Sequence, residues 1–349
     1  MNTLQSCSMG TKRRKMFRFP RLSGGQWIVV LCLFLVMSAI FSLLLGSVSI
    51  TPQQLLEVVS GKDRDSSIYR ILRFVRLPRT MAAMLAGSAL AVSGAMVQAV
   101  LDNALASPNI IGINAGAGFA AMLCMVLFPA QMWILPPAAF LGAFLTALVV
   151  SATAIRLNTS KITIILTGVA ISSILTAGIN TIREFYPDVL VGSSSFMMGG
   201  LAYVTDDHIR FAGVYILVGL GLAVLFRCEM NVLALGEDSA HSLGMNVGGT
   251  RFFLLTVAAM LSGAAVSFAG LLGFVGLIVP HGVRFLVGED NRSVIAACIV
   301  AGAAFVTFCD LLARLLFAPF ELPVGVVMSF LGGPFFIKLL LTKRRHIHV

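Results

Sequence analysis

Charged residues are scarce in this sequence of 349 residues, of which only 11% are Asp, Glu, Lys or Arg. Soluble globular domains carry about 25% charged residues, so the composition excludes an ordinary soluble domain. Hydrophobic residues make up 58% of the chain instead. The sequence therefore predicts an all-α polytopic membrane protein.

Signatures of common hydrolytic enzymes are also missing. No GxxxxGK[ST], HExxH or GxSxG pattern occurs, and the six cysteines stand singly without a CxxC pair. These absences argue against nucleotide hydrolysis, zinc proteolysis and a nucleophile-elbow hydrolase, and against a disulfide framework. We expect no enzyme, no metal site and no cofactor bound by this chain.

Acidic residues lie mainly in loops or near the ends of apolar runs, and no relay of ionisable groups follows the membrane depth. The deepest carboxylate, Asp310, lies four residues before Arg314, where an ion pair on one helix face would neutralise it. Proton and ion carriers usually place ionisable residues inside the membrane. A transporter of this composition must therefore take its energy from a partner chain.

Apolar runs of about 20 residues, enough for a helix to cross a bilayer, recur along the chain. We place them near residues 27–46, 80–101, 112–128, 133–155, 162–182, 190–204, 210–227, 250–287, 293–313 and 323–341. The stretch 190–204 is short and rich in Gly and Ser, so it is either a span or an outer re-entrant or broken element. Glycine breaks at Gly263, Gly270, Gly273 and Gly276 permit two spans within 250–287. Without 190–204, and with that pair, ten spans result.

Both termini are strongly basic, which the positive-inside rule assigns to the cytoplasm. An even number of spans is then required, and ten satisfies it. Residues 1–26 form a cytoplasmic basic tail, 27–341 one transmembrane domain, and 342–349 a second cytoplasmic basic tail. The loop that holds the stretch RILRFVRLPRT, before the second span, then lies outside.

That outer stretch violates the positive-inside rule, because it holds Arg70, Arg73, Arg76 and Arg79 at three-residue intervals. Snorkelling to lipid phosphates would explain Arg70 and Arg73 as well as a docking role would. For Arg76 and Arg79, which bracket Pro78, we predict a fixed docking site for an anionic partner. The rigid guanidinium fork suits bidentate pairing with carboxylates.

The inner loop LALGEDSAHSLG contains a segment, 236–244, long enough for two helical turns between Gly236 and Gly244. Glu237 and Asp238 suit the positive N-terminal end of such a helix. Leu235, Ala240 and Leu243 would give this helix a small exposed apolar contact surface. Spacing alone favours an ordinary helix at the lipid interface over a docking segment for a partner chain.

Five stretches, in order, resemble the signatures of the FecCD-type permeases of bacterial ABC importers for iron siderophores, haem and vitamin B12. They are RLPRTMAAMLAGSALAVSGAMVQ, NALASPNIIGINAGAG, LALGEDSAHSLG, GFVGLIVPHGVRFLVG and ELPVGVVMSFLGGPFFI. The resemblance runs from about residue 27 to the C-terminus. It implies a type II ABC importer permease of ten spans in the bacterial cytoplasmic membrane.

The resemblance also implies partners. These are a second permease chain, identical or homologous, two cytoplasmic ATPases that hold ATP and Mg, and an external binding protein. The cargo implied is a ferric siderophore, with haem or vitamin B12 as alternatives, and no nucleic acid is involved. An ion-coupled carrier and a scaffold subunit that transports nothing by itself are the rival functions.

Site residues follow from motif positions in the resemblance. Arg76, Arg79 and Arg314 match contacts for acidic residues of the binding protein, and we expect them to pair with these at a partly desolvated rim. Segment 236–244 matches the coupling helix that docks on the ATPase. Asn103, Leu105, Thr159 and Ser160 match the cytoplasmic gate. In the first gate loop the family usually has proline where this chain has alanine at position 104, which relaxes the backbone restriction there.

Overall fold

The computed structural model describes residues 23–46, 48, 50–60, 66–156 and 161–344. Every regular element in these ranges is helical, which confirms the all-α prediction. Two predicted gate residues, Thr159 and Ser160, lie outside the described residues.

Fifteen α-helices occur in the described ranges. They are α1 (Gly24–Leu44), α2 (Pro52–Val59), α3 (Ser67–Ile71), α4 (Leu77–Leu101), α5 (Ile113–Leu127), α6 (Leu135–Arg156), α7 (Lys161–Phe185), α8 (Pro187–Met198), α9 (Asp206–Leu225), α10 (Arg227–Leu233), α11 (Glu237–Ser242), α12 (Val247–Ala269), α13 (Val275–Val287), α14 (Asn291–Leu315) and α15 (Val324–Arg344). A π-helical turn, Leu72–Arg76, joins α3 to α4, and short 3-10 turns precede α5 and α6.

The helices account for the ten predicted spans. Seven described helices are long and apolar enough to cross a membrane, and three shorter ones, α5, α13 and α15, are also apolar, which makes 7 + 3 = 10. Helix α8 has 12 residues and is too short to cross, so the stretch 190–204 is not a span of its own.

The predicted pair within 250–287 is confirmed as α12 and α13. The connection between them holds Gly270, whose φ of +68° lies in the region that favours glycine. Gly273 also lies in this connection. Gly263 and Gly276, which we counted as breaks, lie inside these two helices. There both glycines permit close packing against neighbouring parts of the bundle.

Helix α4 lies at the centre of the bundle, where every residue from Ala86 to Leu101 is buried. Its glycines allow neighbouring backbones to approach closely. A Cβ at Gly87 would collide with the backbone of Gly302 on α14, and one at Gly94 would collide with Gly276 on α13. Small residues at such crossings are the usual means of packing helices tightly within a membrane.

A hydrogen-bonded pair of serines joins α4 to α12. The Ser93 hydroxyl donates to the carbonyl oxygen of Ala258 at 2.7 Å and lies 2.5 Å from the Ser262 hydroxyl oxygen. All three residues are buried. Interhelical hydrogen bonds of this kind add about 0.6–2 kcal/mol in membrane bundles.

The arginine-rich stretch is helical, and our interpretation of it as a loop was wrong. Helix α3, the π-turn and α4 form one apolar segment, Ser67–Leu101. The π-turn, in which the Leu77 N–H donates to the Leu72 carbonyl, ends just before Pro78. Proline lacks an N–H and disturbs an α-helical ladder, and a π-turn provides an alternative pairing for the backbone there.

We expect Gly94→Ala to destabilise the folded chain by roughly 1–3 kcal/mol, because the added methyl overpacks the α4–α13 crossing. The matched control is Gly221→Ala in α9, where nothing lies within 4 Å of an added Cβ. Unfolding midpoints of the two purified variants in detergent measure the difference. Equal midpoints would contradict the proposed close packing at Gly94.

Candidate functional site

Five charged residues form what we call the outer arginine cluster: Arg76, Arg79, Asp310, Arg314 and Glu321. Arg76, Arg79 and Arg314 are only 4%, 7% and 4% exposed, and Asp310 is fully buried. Glu321 is the accessible member, with 34% of its side chain exposed. The cluster therefore meets solvent mainly through a carboxylate.

Asp310 is the centre of the cluster. The Arg79 Nε donates to both of its carboxylate oxygens, at 3.0 and 3.1 Å, and a second Arg79 nitrogen lies 2.9 Å from Oδ1. Arg314 Nε lies 3.2 Å from Oδ2, which confirms the predicted pair between positions 310 and 314. The remaining terminal nitrogen of Arg79 donates to Glu321 Oε2 at 2.6 Å.

Arg76 and Arg314 supply donors to the C-terminal end of α1 and the residues just after it, where backbone carbonyls lack partners within the helix. Arg76 donates to the carbonyl oxygens of Leu43, at 2.6 Å, and of Val48. Arg314 donates to the Ser42 carbonyl at 3.2 Å and to the Ser42 hydroxyl at 2.6 Å. Cations are favoured at this negative end of the helix dipole.

These contacts correct one part of the docking prediction. We expected Arg76, Arg79 and Arg314 at a partly desolvated rim, but they are buried and paired within the chain because α1, α14 and the loop before α15 supply their partners. Arg70 is exposed and Arg73 half-exposed, and Arg73 lies 3.4 Å from Asp206. The docking role itself stays a prediction.

The first predicted gate loop follows α4. Asp102 adopts a left-handed conformation with φ of +48°, and Asn103 begins a turn in which its Oδ1 accepts the Leu105 N–H at 2.9 Å. The Ala106 N–H donates to the Asn103 carbonyl oxygen at 2.9 Å. This side-chain turn orders the loop, although the proline expected at position 104 is absent.

Segment 236–244 contains the predicted helix as α11, with Glu237 and Asp238 in its first turn. Gly236 and Gly244 have φ of +99° and +80°, so both ends need glycine. Leu235 and Leu243 are exposed, as a contact surface for a partner requires. Ala240 is fully buried and belongs to the packing of the segment on the bundle, so our placement of it on the exposed contact surface was wrong.

One ion pair attaches this segment to the bundle, and a second set of polar contacts attaches α10 just before it. Glu237 pairs with Arg251 of α12 at 2.6 Å. Upstream, Asn231 of α10 donates to Asp290 at 2.7 Å and accepts the Asn291 N–H at 2.9 Å, at the start of α14. Hydrogen bonds from the Arg292 N–H and from Asn231 lower the pKa of the Asp290 carboxyl. Neither Arg251 nor Asn231 could be predicted as a site residue from sequence, because their partners are not neighbours on one helix.

A polar stripe lies on α7 and consists of Ser172, Ser173, Thr176 and Asn180. Ser173, Thr176 and Asn180 are exposed and follow helical spacing. Together with Ser172 they line a groove that also contains Asn109. The Ser173 hydroxyl donates to the Val169 carbonyl within the helix at 2.9 Å. Because a polar group that faces hydrocarbon without a partner is costly, a face with several such groups suits a passage or a partner better than lipid. We predicted no site on α7, although the helical spacing of these polar residues is a signal that could have indicated one.

The outer arginine cluster and helix α10, which precedes segment 236–244, lie at opposite ends of α14. Arg314 is in its last turn, whereas Asn291, which contacts α10, is its first residue. At 1.5 Å per residue these two positions are roughly 35 Å apart, which exceeds the roughly 30 Å thickness of the hydrocarbon core. The two sites are therefore far enough apart to face opposite sides of a membrane.

Comparisons with known proteins agree with this architecture. A solved structure of an inward-facing metal-chelate type ABC transporter matches with a TM-score of 0.82 and 26% identity, over 91% of this chain and 99% of the other. The fold thus defines the permease of an ABC importer. The model of the FecCD transport family matches residues 33–342, and the chain belongs to that family.

Relatives within the family differ in their named cargo. The iron(3+)-hydroxamate import system permease protein FhuB of Bacillus subtilis is 37% identical over 326 residues, covering 91% of this chain and 83% of the relative. The hemin transport system permease protein HmuU of Yersinia pestis is 34% identical over 93% and 97%. The cobalamin import system permease protein BtuC of Halobacterium salinarum is 38% identical over 77% and 73%.

We expect Asp310→Asn to destabilise the fold by about 3–5 kcal/mol, because it leaves Arg79 and Arg314 buried without their shared carboxylate. The matched control, Asp206→Asn, removes the exposed partner of Arg73 and should cost no more than about 1 kcal/mol. Detergent unfolding midpoints compare the two variants. A loss no larger for Asp310→Asn would show that the cluster does not stabilise the bundle.

Proposed function

We propose that this permease carries a ferric siderophore across the bacterial cytoplasmic membrane, with haem or vitamin B12 as second candidates. Membership of the FecCD family carries this proposal, supported by a relative named for iron(3+)-hydroxamate import. An external binding protein delivers the cargo, and two separate ATPase subunits supply the energy. Both termini and segment 236–244 lie in the cytoplasm, while the outer arginine cluster faces the binding protein.

The polar stripe on α7 supports a passage shared with a second permease chain, identical or homologous. Its hydroxyl and amide groups can exchange hydrogen bonds with water and with a polar chelate. No side chain of the stripe is charged, so a large chelate meets no fixed charge to hold it there. Asn109, which follows the gate loop, lies in the same groove and connects the stripe to the cytoplasmic end of α4.

Uptake by the reconstituted complex tests this function. The chain is purified with the ATPase and binding protein from its gene cluster, placed in liposomes, and offered an iron-loaded hydroxamate siderophore, ferric citrate, haemin and cobalamin in turn. We expect ATP-dependent accumulation of the ferric hydroxamate. Preferred uptake of haemin or cobalamin would favour the second candidates, and uptake by the chain alone on an ion gradient would contradict the ABC mechanism.

Docking of the binding protein has to be compatible with the buried state of the arginines. The outer arginine cluster has three guanidinium groups and two carboxylates, a formal charge of 3 − 2 = +1, which favours an anionic partner. Glu321 is the exposed carboxylate on Arg79. We propose that a carboxylate of the binding protein takes its place, because this exchange reaches Arg79 without opening the contact with Asp310.

Glu321→Gln should strengthen binding of the external protein by up to about tenfold, or about 1.4 kcal/mol, because Arg79 then lacks its competing internal carboxylate. The gain should shrink as salt rises past about 0.15 M, where the Debye length is about 8 Å. Affinity for the complex in nanodiscs is the measurement. Asp206→Asn, which frees Arg73 in the same way, is the control, and an equal gain there would show a diffuse attraction rather than docking at Arg79.

A further inference from the structure

Neither the family resemblance nor the proposed function assigns a role to Arg251. It lies in the second turn of α12, with its side chain 13% exposed, and pairs with Glu237 of α11 at 2.6 Å. We propose that Arg251 is a positioning residue that makes segment 236–244 move together with α12. This inference rests on the proposed role of that segment as the contact with the ATPase.

The segment needs such a connection because most of its residues are exposed. Helix α11 has six residues, and nothing lies within 4 Å of a Cβ added at Gly236 or Gly244. The hydrogen bonds of these two glycines are local, from the Gly236 N–H to the Leu233 carbonyl and from the Gly244 N–H to the His241 carbonyl. Buried Ala240 holds one point of the helix against the bundle, and the ion pair at Glu237 supplies a second.

Two attachment points on different side chains fix direction as well as position. A helix held at Ala240 alone can turn about that contact, and a push on exposed Leu235 or Leu243 would then be lost as rotation. With Glu237 bound to Arg251, the same push displaces the start of α12. The upstream contact of Asn231 with Asp290 and Asn291 belongs to α10 and α14, so it does not replace this function.

Helix α12 leads from Arg251 to the centre of the bundle. It is buried along most of its length, and Ser262 meets Ser93 of α4. Helix α4 in turn ends at the loop of Asn103 and Leu105, the predicted gate. Rigid helices and their hydrogen bonds are the elements through which such coupling travels.

The ion pair contributes little to stability, because Glu237 is 54% exposed and water screens the attraction. A role in transmission therefore predicts a specific pattern. Loss of the pair should lower the cargo moved per ATP hydrolysed while the unfolding midpoint and the assembly of the complex stay nearly unchanged. A merely structural role would lower the midpoint and uptake together.

Charge reversal and rescue test the inference in the reconstituted complex. Arg251→Glu and Glu237→Arg are each expected to lower the uptake per ATP about fivefold or more, a typical coupling magnitude. The double swap restores the pair and should recover most of the loss, and Arg251→Lys should retain part of it. The probe is whichever of the four compounds named above the wild-type complex accumulates fastest, with ATP hydrolysis measured in the same vesicles.

Glu289→Gln is the matched control, because it removes another ion pair, Arg284–Glu289 at 3.0 Å, without touching α11. It should leave uptake per ATP unchanged. Normal coupling in Arg251→Glu, or a double swap as defective as the single variants, would overturn the inference. A wild-type complex without ATP-dependent uptake would instead contradict the proposed function, so the two failures are distinguishable.

Discussion

The outer end of the bundle depends on the buried carboxylate of Asp310, which two guanidinium groups share. Burying a guanidinium group in apolar surroundings is costly unless a carboxylate pairs with it, and Asp310 pairs with both Arg79 and Arg314. Arg314 also supplies donors to the end of α1, so the position of a largely exposed helix depends on a charge located on α14. The docking proposed for these arginines therefore starts from satisfied groups and proceeds by exchange of carboxylates.

The number of spans could be predicted from sequence because bilayer thickness sets a length that apolar runs must meet. The Asp310–Arg314 pair was also predictable, since four residues make one helical turn. Burial of Arg79 was not, because its partners Asp310 and Glu321 lie 231 and 242 residues away. The arginines of RILRFVRLPRT belong to a helix, in which Arg79 pairs with two carboxylates while Arg76 donates to backbone carbonyls.

In the candidate site, too, some features could be predicted from sequence and others could not. Gly236 and Gly244 indicated the bounds of segment 236–244 because the backbone angles at these two positions require glycine. Which face of α11 packs inward could not be deduced from six residues, and Ala240 was misplaced for that reason. The order of the predicted gate loop depends on a side-chain turn at Asn103, in the absence of the proline that the family resemblance leads us to expect at position 104.

Glycine contacts on α4 have a consequence for transport. At Gly87 and Gly94 the backbone of α4 touches the backbones of α14 and α13, so rotation of α4 about its own axis would bring a Cβ into a carbonyl of a neighbour. We therefore expect these two crossings to restrain movement of α4, α13 and α14 relative to one another. A change of conformation in the permease would then take place at other contacts, such as the connections around α8 and α11.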